Sequence, residues 1–362
     1  NLKNYKIKVA IVSPVLYGQF DDLTDVEVAL DGVKSLGFDY VYETAIGADI
    51  YAKTAKEYIN KDENWEKIIS SSCPVVIRLI QIYYPDLIDC IIPLKTPEEI
   101  TAQVVKDKIC KETGASREDI GVFLLTTCPA HLMNVKSPIG GNKSEIDEII
   151  SFLEVFSQLK KYVSSMPEKT ECKSLCTTNG MGWFNVRGQT HALAQDNHLV
   201  VDGIHSVKDA LEQLENNKFK GLKFFEGVAC KGGCCGGSLA FENTFVAKNR
   251  IDNFIARYVK EGKEVMDIND LADFDRWCFD KEVEECNVNK LDSNMAEALK
   301  KYKLIEEISS ELPGLDCGSC GCPTCHALAE DIVKGYASEF DCIFIMRTKL
   351  NLANRESNDK EV

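Results

Sequence analysis

The hydrophobic pattern of the first 70 residues predicts two strand–helix units. Residues 6–16 (KIKVAIVSPVL) are mostly β-branched or apolar, which indicates a buried strand. Residues 25–38 have apolar side chains at helical spacing and predict a helix that ends near Gly37. Residues 40–50 (YVYETAIGADI) predict a second strand and a turn, and residues 51–70 predict another helix.

The same alternation continues as far as residue 230. Residues 120–128 (IGVFLLTTC) and 221–230 (GLKFFEGVAC) predict strands, whereas residues 145–163 and 207–218 predict helices. Strands that alternate with helices favour parallel sheets covered by helices, so the predicted class is α/β.

The composition narrows the class of protein further. With 362 residues and 44% hydrophobic residues, the chain has room for two or three globular domains. A net charge of −15 argues against nucleic-acid or anionic-membrane partners, and no apolar run reaches the roughly 18–20 residues of a membrane span. Sixteen cysteines in so long a chain favour metal clusters in a reducing cytoplasm over a disulfide scaffold.

Four cysteines from three separate stretches form the candidate site. They are Cys73 in SSSCP, Cys128 in TTCPAH, and Cys230 with Cys234 in ACKGGCCGG. Cys128 and Cys230 each follow a predicted strand, where sites of α/β proteins form. Thiolates from distant segments can surround one soft metal centre, and the spacing is not that of a zinc ribbon or a ferredoxin. The alternative is that Cys73 and Cys128 are small buried apolar residues.

The three stretches resemble the signature stretches of the [FeFe]-hydrogenase catalytic domain. The match extends over about residues 7–250 and is strongest in F-x-E-x-x-A-C-x-G-G-C-x-G-G. The resemblance implies that Cys73, Cys128, Cys230 and Cys234 hold a [4Fe–4S] cubane, and that Cys234 also bridges to a diiron subcluster with CO and cyanide ligands. The cofactor, called the H-cluster, would lie in the cleft between two α/β lobes. The positions expected to face it are Pro129, Ala130, Val228, Gly232 and Gly233.

The residues that carry protons in this family are replaced in the chain. Ser72 occupies the position of the proton-relay cysteine, and a hydroxyl is a much weaker acid than a thiol of pKa ~8.5. Thr54 and Tyr58 occupy the positions of two relay glutamates, and Ile92 that of a serine. Loss of positioned acid–base groups costs about 10²–10⁴-fold in rate, so slow turnover is expected.

Two further departures change the pocket around the diiron subcluster. His131 occupies the position of a lysine that bonds a cyanide, and we expect it to act as the donor there; the alternatives are a structural histidine, or Lys136 as the cation. Val228 replaces a methionine. The pattern resembles the divergent, sensory branch of the family.

A second resemblance covers residues 311–345. Cys317, Cys320, Cys325 and Cys342 have the spacing C-x2-C-x4-C-x16-C, similar to a small [4Fe–4S] module found beside redox enzymes. Zinc is the alternative ligand for four local thiolates. Cys322 within this stretch is expected to be a bystander, as is Cys235 beside Cys234.

These resemblances give a predicted division of the chain. Residues 1–240 would form the H-cluster domain, with lobes at about 1–115 and 116–240. Residues 241–310 would be a mainly helical segment packed on the lobes, followed by the iron–sulfur module at 311–345 and a polar tail at 346–362.

The predicted function is the reaction H2 ⇌ 2 H⁺ + 2 e⁻ at low turnover, in hydrogen sensing or redox signalling. The alternative is a protein of cluster assembly or electron transfer that lacks the diiron subcluster. The expected partners are maturation factors, a redox partner and an unidentified signalling partner. Because the chain begins at Asn1 and enters a strand at Ile7, we also expect a preceding segment, where this family carries ferredoxin-like clusters. Cys172 and Cys176 are expected to be loop thiols.

Overall fold

The computed structural model describes residues 5–61, 67–165, 170–194, 196–262, 265–286, 291–292 and 294–358. The chain forms two compact units, Asn1–Cys286 and Asn287–Val362. Among the described residues, no helix has the length and apolar character needed to cross a bilayer.

Among the described residues of the first unit, seven strands form two parallel sheets. The strands are β1 (Ile7–Val12), β2 (Tyr40–Glu43), β3 (Ile68–Ile69), β4 (Ile120–Thr126), β5 (Glu148–Ser151), β6 (His198–Asp202) and β7 (Phe224–Val228). The larger sheet has the order β2-β1-β4-β5, and the smaller one has the order β3-β7-β6. Every residue of β4 is buried, as expected for a strand between two others that is covered on both faces.

Eleven helices among the described residues of this unit flank the sheets and connect the strands. They are α1 (Val26–Lys34), α2 (Ala45–Lys61), α3 (Pro74–Tyr83), α4 (Pro97–Thr113), α5 (Ala130–Lys136), α6 (Phe152–Ser164), α7 (Thr178–Gly182), α8 (Gly188–Leu193), α9 (Ile204–Glu215), α10 (Thr244–Glu261) and α11 (Phe274–Trp277). Helix α4 has clear sequence boundaries: the Thr96 side chain accepts from the Glu99 N–H, Pro97 is its first residue, and Gly114 ends it with φ 72°.

The predicted α/β class with parallel sheets is confirmed, but several elements were placed wrongly. Helix α2 begins at Ala45, where a turn was expected, and the end of the helix predicted over 51–70 is strand β3. Residues 62–66 of that prediction lie outside the described residues. The segment Glu148–Ser151 was predicted helical but pairs with β4 as strand β5. Short strands such as these depend on pairing partners that are distant in sequence, so local periodicity does not reveal them.

Both sheets combine strands from the two predicted lobe ranges, 1–115 and 116–240. The larger sheet takes β1 and β2 from the first range and β4 and β5 from the second. The smaller sheet takes β3 from the first range and β6 and β7 from the second. The two α/β layers are therefore interleaved in sequence.

The second unit is helical and has its own small core. Its helices are α12 (Met295–Glu311), α13 (Cys325–Lys334) and α14 (Ile343–Asn358). The core consists of five buried residues: Ile305, Leu312, Leu328, Ala329 and Cys342. The segment predicted as 241–310 is thus shared between the units, and α14 covers much of the predicted polar tail.

Candidate metal centre

The three cysteine stretches meet at the carboxyl ends of strands from both sheets. Strand β3 leads to Cys73, β4 to Cys128, and β7 to Cys230. These three cysteines and Cys234 line the same pocket. The sequence alone had associated only Cys128 and Cys230 with strand ends, because β3 has just two residues.

Backbone N–H groups at the start of two helices lie near the first two thiols. Cys73 immediately precedes α3, and the backbone N–H groups of Ala229, Val76 and Val75 partly offset the rise in the pKa of its thiol that burial causes. The N–H of Ala130, the first residue of α5, acts in the same direction on the pKa of Cys128. Such groups favour a negatively charged ligand at both positions.

The glycine-rich loop fixes Cys234 from both sides of its backbone. The Cys234 N–H donates to the Phe184 carbonyl at 3.0 Å, and the Thr127 hydroxyl donates to the Cys234 carbonyl at 2.9 Å. Gly232 and Gly233 have φ angles of 84° and 76°, which other residues rarely adopt. A Cβ at Gly233 would also lie 2.8 Å from the Phe184 carbonyl oxygen, so glycine is required there.

The four thiols are poor acids in the absence of a cation. Burial, and then the neighbouring Cys73, raise the pKa of Cys128 to about 12. Burial is also the main cause of the raised pKa of Cys73 and of Cys230, and the pKa of Cys234 is raised well above its ordinary value. Thiolates become stable in such a pocket when metal charge compensates for burial.

The donor set fits an iron–sulfur cluster. Four soft sulfur donors surround one pocket, nearby backbone N–H groups favour negative charge on two of them, and the glycine loop leaves room for a bulky group. Within the described ranges, no three His, Cys, Asp or Glu side chains are arranged to hold a single metal ion.

Most of the other predicted site residues also reach the pocket. Besides the cysteines, its lining includes Ser72, His131, Val228 and Gly233. Gly232, Pro129 and Ala130 belong to the same loops but do not line it. Gly232 instead donates its N–H to Asp202 Oδ2 at 2.7 Å, which anchors the loop to the end of β6.

The four residues at the positions expected for the proton relay differ in their surroundings. Ser72 Oγ accepts a hydrogen bond from Trp183 Nε1 at 3.0 Å. Thr54 Oγ1 is buried and has no hydrogen-bond partner in the part of the chain that the structure describes. Ile92 is fully buried, and the Tyr58 ring stacks on Phe274 with 4.5 Å between centroids.

Several pocket residues were not found from the sequence. The most polar of them is Glu98, near the start of α4, whose Oε1 lies 3.6 Å from His131 Nε2. Trp183 and Gln189, from the α7–α8 region, also line the pocket. No local motif marks these positions, since folding alone brings them to the cysteines.

The glutamate of the F-x-E-x-x-A-C stretch has a positioning role. Glu226 is fully buried on β7, and its carboxylate accepts the N–H groups of Arg187 and Thr190 at 2.8 and 2.9 Å. Burial raises its pKa to about 7, although these hydrogen bonds act in the opposite direction. Glu226 therefore holds the turn that carries Gln189 into the pocket.

A second cysteine pocket lies in the unit Asn287–Val362. It is lined by Cys317, Cys320, Cys325 and Cys342, and also by Cys322. Cys325 is the first residue of α13, and its N–H donates to Asp316 Oδ1 at 2.7 Å. The Cys322 thiol donates to Asp331 Oδ2 at 3.4 Å, and burial together with Asp331 raises its pKa to about 11.

The remaining thiols that the sequence singled out have structural contacts. The Cys172 N–H donates to Asp31 Oδ1 at 2.7 Å, whereas the buried Cys176 thiol donates to Glu43 Oε1 at 3.3 Å. Two different carboxylates thus hold the two ends of this C-x3-C loop. The Cys235 thiol, also buried, donates to Asn185 Oδ1 at 3.4 Å.

Comparison with known families agrees with this arrangement. The family described as "Iron only hydrogenase large subunit, C-terminal domain" matches residues 6–188 and 160–238. A second family, whose description names an Fe-S cluster, matches residues 312–344. The chain therefore belongs to the iron-only hydrogenase large-subunit family and carries an iron–sulfur module in its second unit.

The similar curated proteins include both hydrogenases and an assembly factor. The chain is 23% identical to Iron hydrogenase 1 of Clostridium pasteurianum over 57% of this chain and 44% of that protein. It is 27% identical to the cytosolic Fe-S cluster assembly factor NAR1 of Candida dubliniensis over 33% of this chain and 21% of that protein. The chain thus matches less than half the length of either relative.

Two further matches concern the fold and a short stretch of the sequence. A variant of [FeFe]-hydrogenase HydA1 from Chlamydomonas reinhardtii superposes with a TM-score of 0.58 at 16% identity, covering 78% of this chain and 95% of that one. One component of an ion-translocating oxidoreductase complex from Rhodobacter capsulatus is 46% identical over 39 residues, which are 11% of this chain and 21% of that protein.

Proposed function

We propose that this protein carries an H-cluster and reacts reversibly with hydrogen at low turnover, as a hydrogen sensor or redox signalling protein. One observation carries the proposal: four cysteines from three distant segments line the same pocket as Ser72 and His131. Membership of the hydrogenase family supports the same assignment.

The residues of the pocket would have three roles: to bind the cluster, to donate a hydrogen bond to it, and to limit access of water. Cys73, Cys128, Cys230 and Cys234 would hold a [4Fe–4S] cubane, and Cys234 would be shared with a diiron subcluster. When bound, that subcluster supplies the chemistry that cleaves or forms the bond of H2. His131 would face its cyanide ligand as a donor, and the apolar Val228 would limit access of water to the pocket.

Slow turnover is the expected consequence of the replaced relay. Ser72 is engaged with the Trp183 indole, while Thr54 and Ile92 are buried without an acid–base group. Proton transfer by positioned acids and bases contributes about 10²–10⁴-fold to rates. Without such groups along this route, the site would bind hydrogen but convert it slowly. A slow response to hydrogen suits a sensor better than a metabolic enzyme.

Electrons would pass through a second [4Fe–4S] cluster. Cys317, Cys320, Cys325 and Cys342 share one pocket in the unit Asn287–Val362, which supports their assignment as its ligands. The proposed partners are a redox protein or ferredoxin-like clusters, maturation factors for the diiron subcluster, and a signalling partner. Thiolate-held clusters persist in reducing compartments, so we assign the protein to the cytoplasm.

Infrared spectroscopy of anaerobically matured protein, with and without hydrogen, tests the proposal. We expect CO and cyanide bands that shift under hydrogen, with slow dye reduction by the same sample. The absence of these bands from protein with intact cubanes and a verified maturation system would overturn the assignment.

The similarity to NAR1 supports a second candidate function. In that case the same four cysteines would hold a cubane alone, and the protein would act in iron–sulfur cluster assembly or electron transfer. The infrared experiment separates the two functions, because a cubane has neither CO nor cyanide ligands.

A further inference from the structure

Glu98 is a buried carboxylate in the cysteine pocket that the proposed function does not use. It is 5% exposed, lies in the first turn of α4 and lines the pocket together with the four cysteines. Its Oε2 has no hydrogen-bond partner among the described residues. An unpaired buried carboxylate oxygen is costly, so it indicates a group that is bound there in the working protein.

The other oxygen of Glu98 lies close to the His131 ring. Glu98 Oε1 lies 3.6 Å from His131 Nε2, and the two side chains are 6% and 8% exposed. This distance is slightly long for a hydrogen bond, but contacts between catalytic groups often tighten when the site is filled. Both side chains are buried and line the pocket, so a carboxylate and an imidazole lie side by side where the cofactor would bind.

The neighbouring Glu99 shows that the free oxygen is not a general feature of this helix turn. Glu99 is also buried, but one of its oxygens accepts from the Ser144 hydroxyl and the other from the Glu145 N–H at 2.9 Å. Both oxygens of Glu99 therefore have hydrogen-bond partners in the segment that precedes β5, whereas Oε2 of Glu98 has none among the described residues.

We propose that Glu98 and His131 are the acid–base pair of this pocket, which carries protons between the bound cofactor and solvent in place of the relay lost at Ser72, Thr54 and Ile92. The inference rests on the proposed function. It assigns a role to Glu98 and extends that of His131 from a hydrogen-bond donor to a proton carrier.

The transfer involves one proton and no electrons. Glu98 Oε2 accepts a proton released in the pocket, and rotation of the carboxyl group about its Cγ–Cδ bond brings this proton to His131 Nε2. Its donation to the imidazole restores the Glu98 carboxylate, and release of one proton from the imidazolium to water restores the neutral ring. In the direction of hydrogen formation the same steps run in reverse.

The first test is infrared difference spectroscopy of matured protein, recorded with and without hydrogen. We expect a change in the region of protonated carboxyl groups that shifts in D2O, is absent from Glu98→Gln, and persists in the matched control Glu99→Gln. A Glu98→Gln variant that keeps the carboxyl change, with CO and cyanide bands intact, would overturn the inference. Absence of those bands from the wild type would instead overturn the proposed function, and with it this inference.

Exchange of hydrogen with D2O, normalised to the intensity of the CO bands, provides the second test. Glu98→Gln and His131→Gly should each lower the exchange rate about 10²-fold. Added imidazole should restore exchange in His131→Gly but not in Glu98→Gln, a result that a merely structural histidine would not give. Wild-type exchange in Glu98→Gln, or no response of His131→Gly to imidazole, would contradict a proton-carrying pair.

Discussion

At the scale of single residues, Gly237 passes close to Thr127 in the metal centre. Thr127 supports the site twice, because its hydroxyl donates to the Cys234 carbonyl and its own carbonyl accepts the Leu239 N–H at 3.0 Å. A Cβ at Gly237 would lie 2.6 Å from the Thr127 hydroxyl oxygen and 2.7 Å from its carbonyl oxygen. The loop can therefore pass this close to Thr127 only if position 237 is glycine.

We therefore expect Gly237→Ala to displace Cys234 and remove the cluster of the main site. Iron analysis and electron paramagnetic resonance should show this loss while the signal of the terminal cluster remains. Gly182→Ala is the control, since its Cβ would lie 3.3 Å from the flexible end of Ile255. Equal cluster content in Gly237→Ala and the wild type would show that the loop tolerates the displacement.

The Ser72→Cys variant tests whether one residue explains the slow turnover. A thiol at this position restores one acidic group, but Thr54 and Ile92 remain buried and cannot pass protons onward. We expect hydrogen oxidation by the matured variant, measured by dye reduction, to rise much less than about 100-fold. A rise of that size would mean that the remainder of the relay is intact or unnecessary.

The candidate site residues differ in whether the sequence alone could predict their place in the site. Cys73, Cys128 and the ACKGGCCGG loop lie in short motifs, so their types and spacing are enough to predict a shared site. Glu98 and Trp183 reach the pocket through helix placement, and neither lies next to a cysteine in sequence. Their contribution could be recognised only from tertiary geometry.

At the scale of elements, buried carboxylates hold the loops around the site in place. Glu226 on β7 binds the turn before α8, and Glu43 at the end of β2 accepts from the Tyr17 hydroxyl at 2.6 Å and from the Leu175 N–H at 3.0 Å. These loops contain little regular structure, so their backbone groups need such partners. Glu226 thereby connects β7 to a segment that lines the pocket, and Glu43 connects β2 to the loop that precedes α7.

Glu226→Gln should destabilise the protein, and the effect should depend on pH. Glutamine offers one acceptor oxygen to two N–H donors, so a cost of about 1–3 kcal/mol is expected. The pKa of Glu226 is about 7 in the folded state, against 4.5 ordinarily, so the folded chain binds the extra proton. Its contribution to stability is therefore present below pH 4.5 and is lost as the pH rises through 7.

Denaturant unfolding of the reduced, metal-free protein between pH 5.5 and 7.5, an interval chosen around this pKa, measures both effects. The difference between wild type and Glu226→Gln should narrow as the pH rises, because only the wild type loses this contribution. A gap that widens with pH would show that Glu226 is held as a carboxylate, with its pKa below its ordinary value.

Several elements with clear apolar patterns were predicted, whereas helix α2 begins earlier than expected and helix α4 was not predicted. Strands β1, β4 and β7 and helices α1, α9 and α10 follow their apolar patterns. Strands β3 and β5 were missed because two and four residues carry too little pattern to separate them from the adjoining helices. Because the two-residue strand β3 leads to Cys73, a very short element positions one of the four cysteines of the site.

At the scale of the whole molecule, the two cysteine pockets belong to different compact units. The main pocket is formed within Asn1–Cys286, and the second pocket within Asn287–Val362. The second unit has a small core to which Cys342 itself contributes. A unit with so little buried apolar surface depends on additional links, and a cluster held by four of its cysteines would provide them.

The choice of ligands in the second unit can be tested by two matched substitutions. Cys320 and Cys322 line the same pocket two residues apart, but the sequence assigns only Cys320 to the cluster, and the Cys322 thiol is engaged with Asp331. Cys320→Ser should therefore remove the terminal cluster, and Cys322→Ser should retain it. Mössbauer spectroscopy of iron-57-labelled protein measures the loss directly, and the CO and cyanide bands of the main site should remain in both variants.

The same pair of variants shows what the second unit contributes to function. If electrons pass through its cluster, Cys320→Ser should slow dye reduction under hydrogen while exchange of hydrogen with D2O, which needs no external acceptor, continues at the wild-type rate. Loss of the terminal cluster in Cys322→Ser and its retention in Cys320→Ser would reverse the ligand assignment. Equal dye reduction by all three proteins would place electron transfer elsewhere and leave the cluster with a structural role.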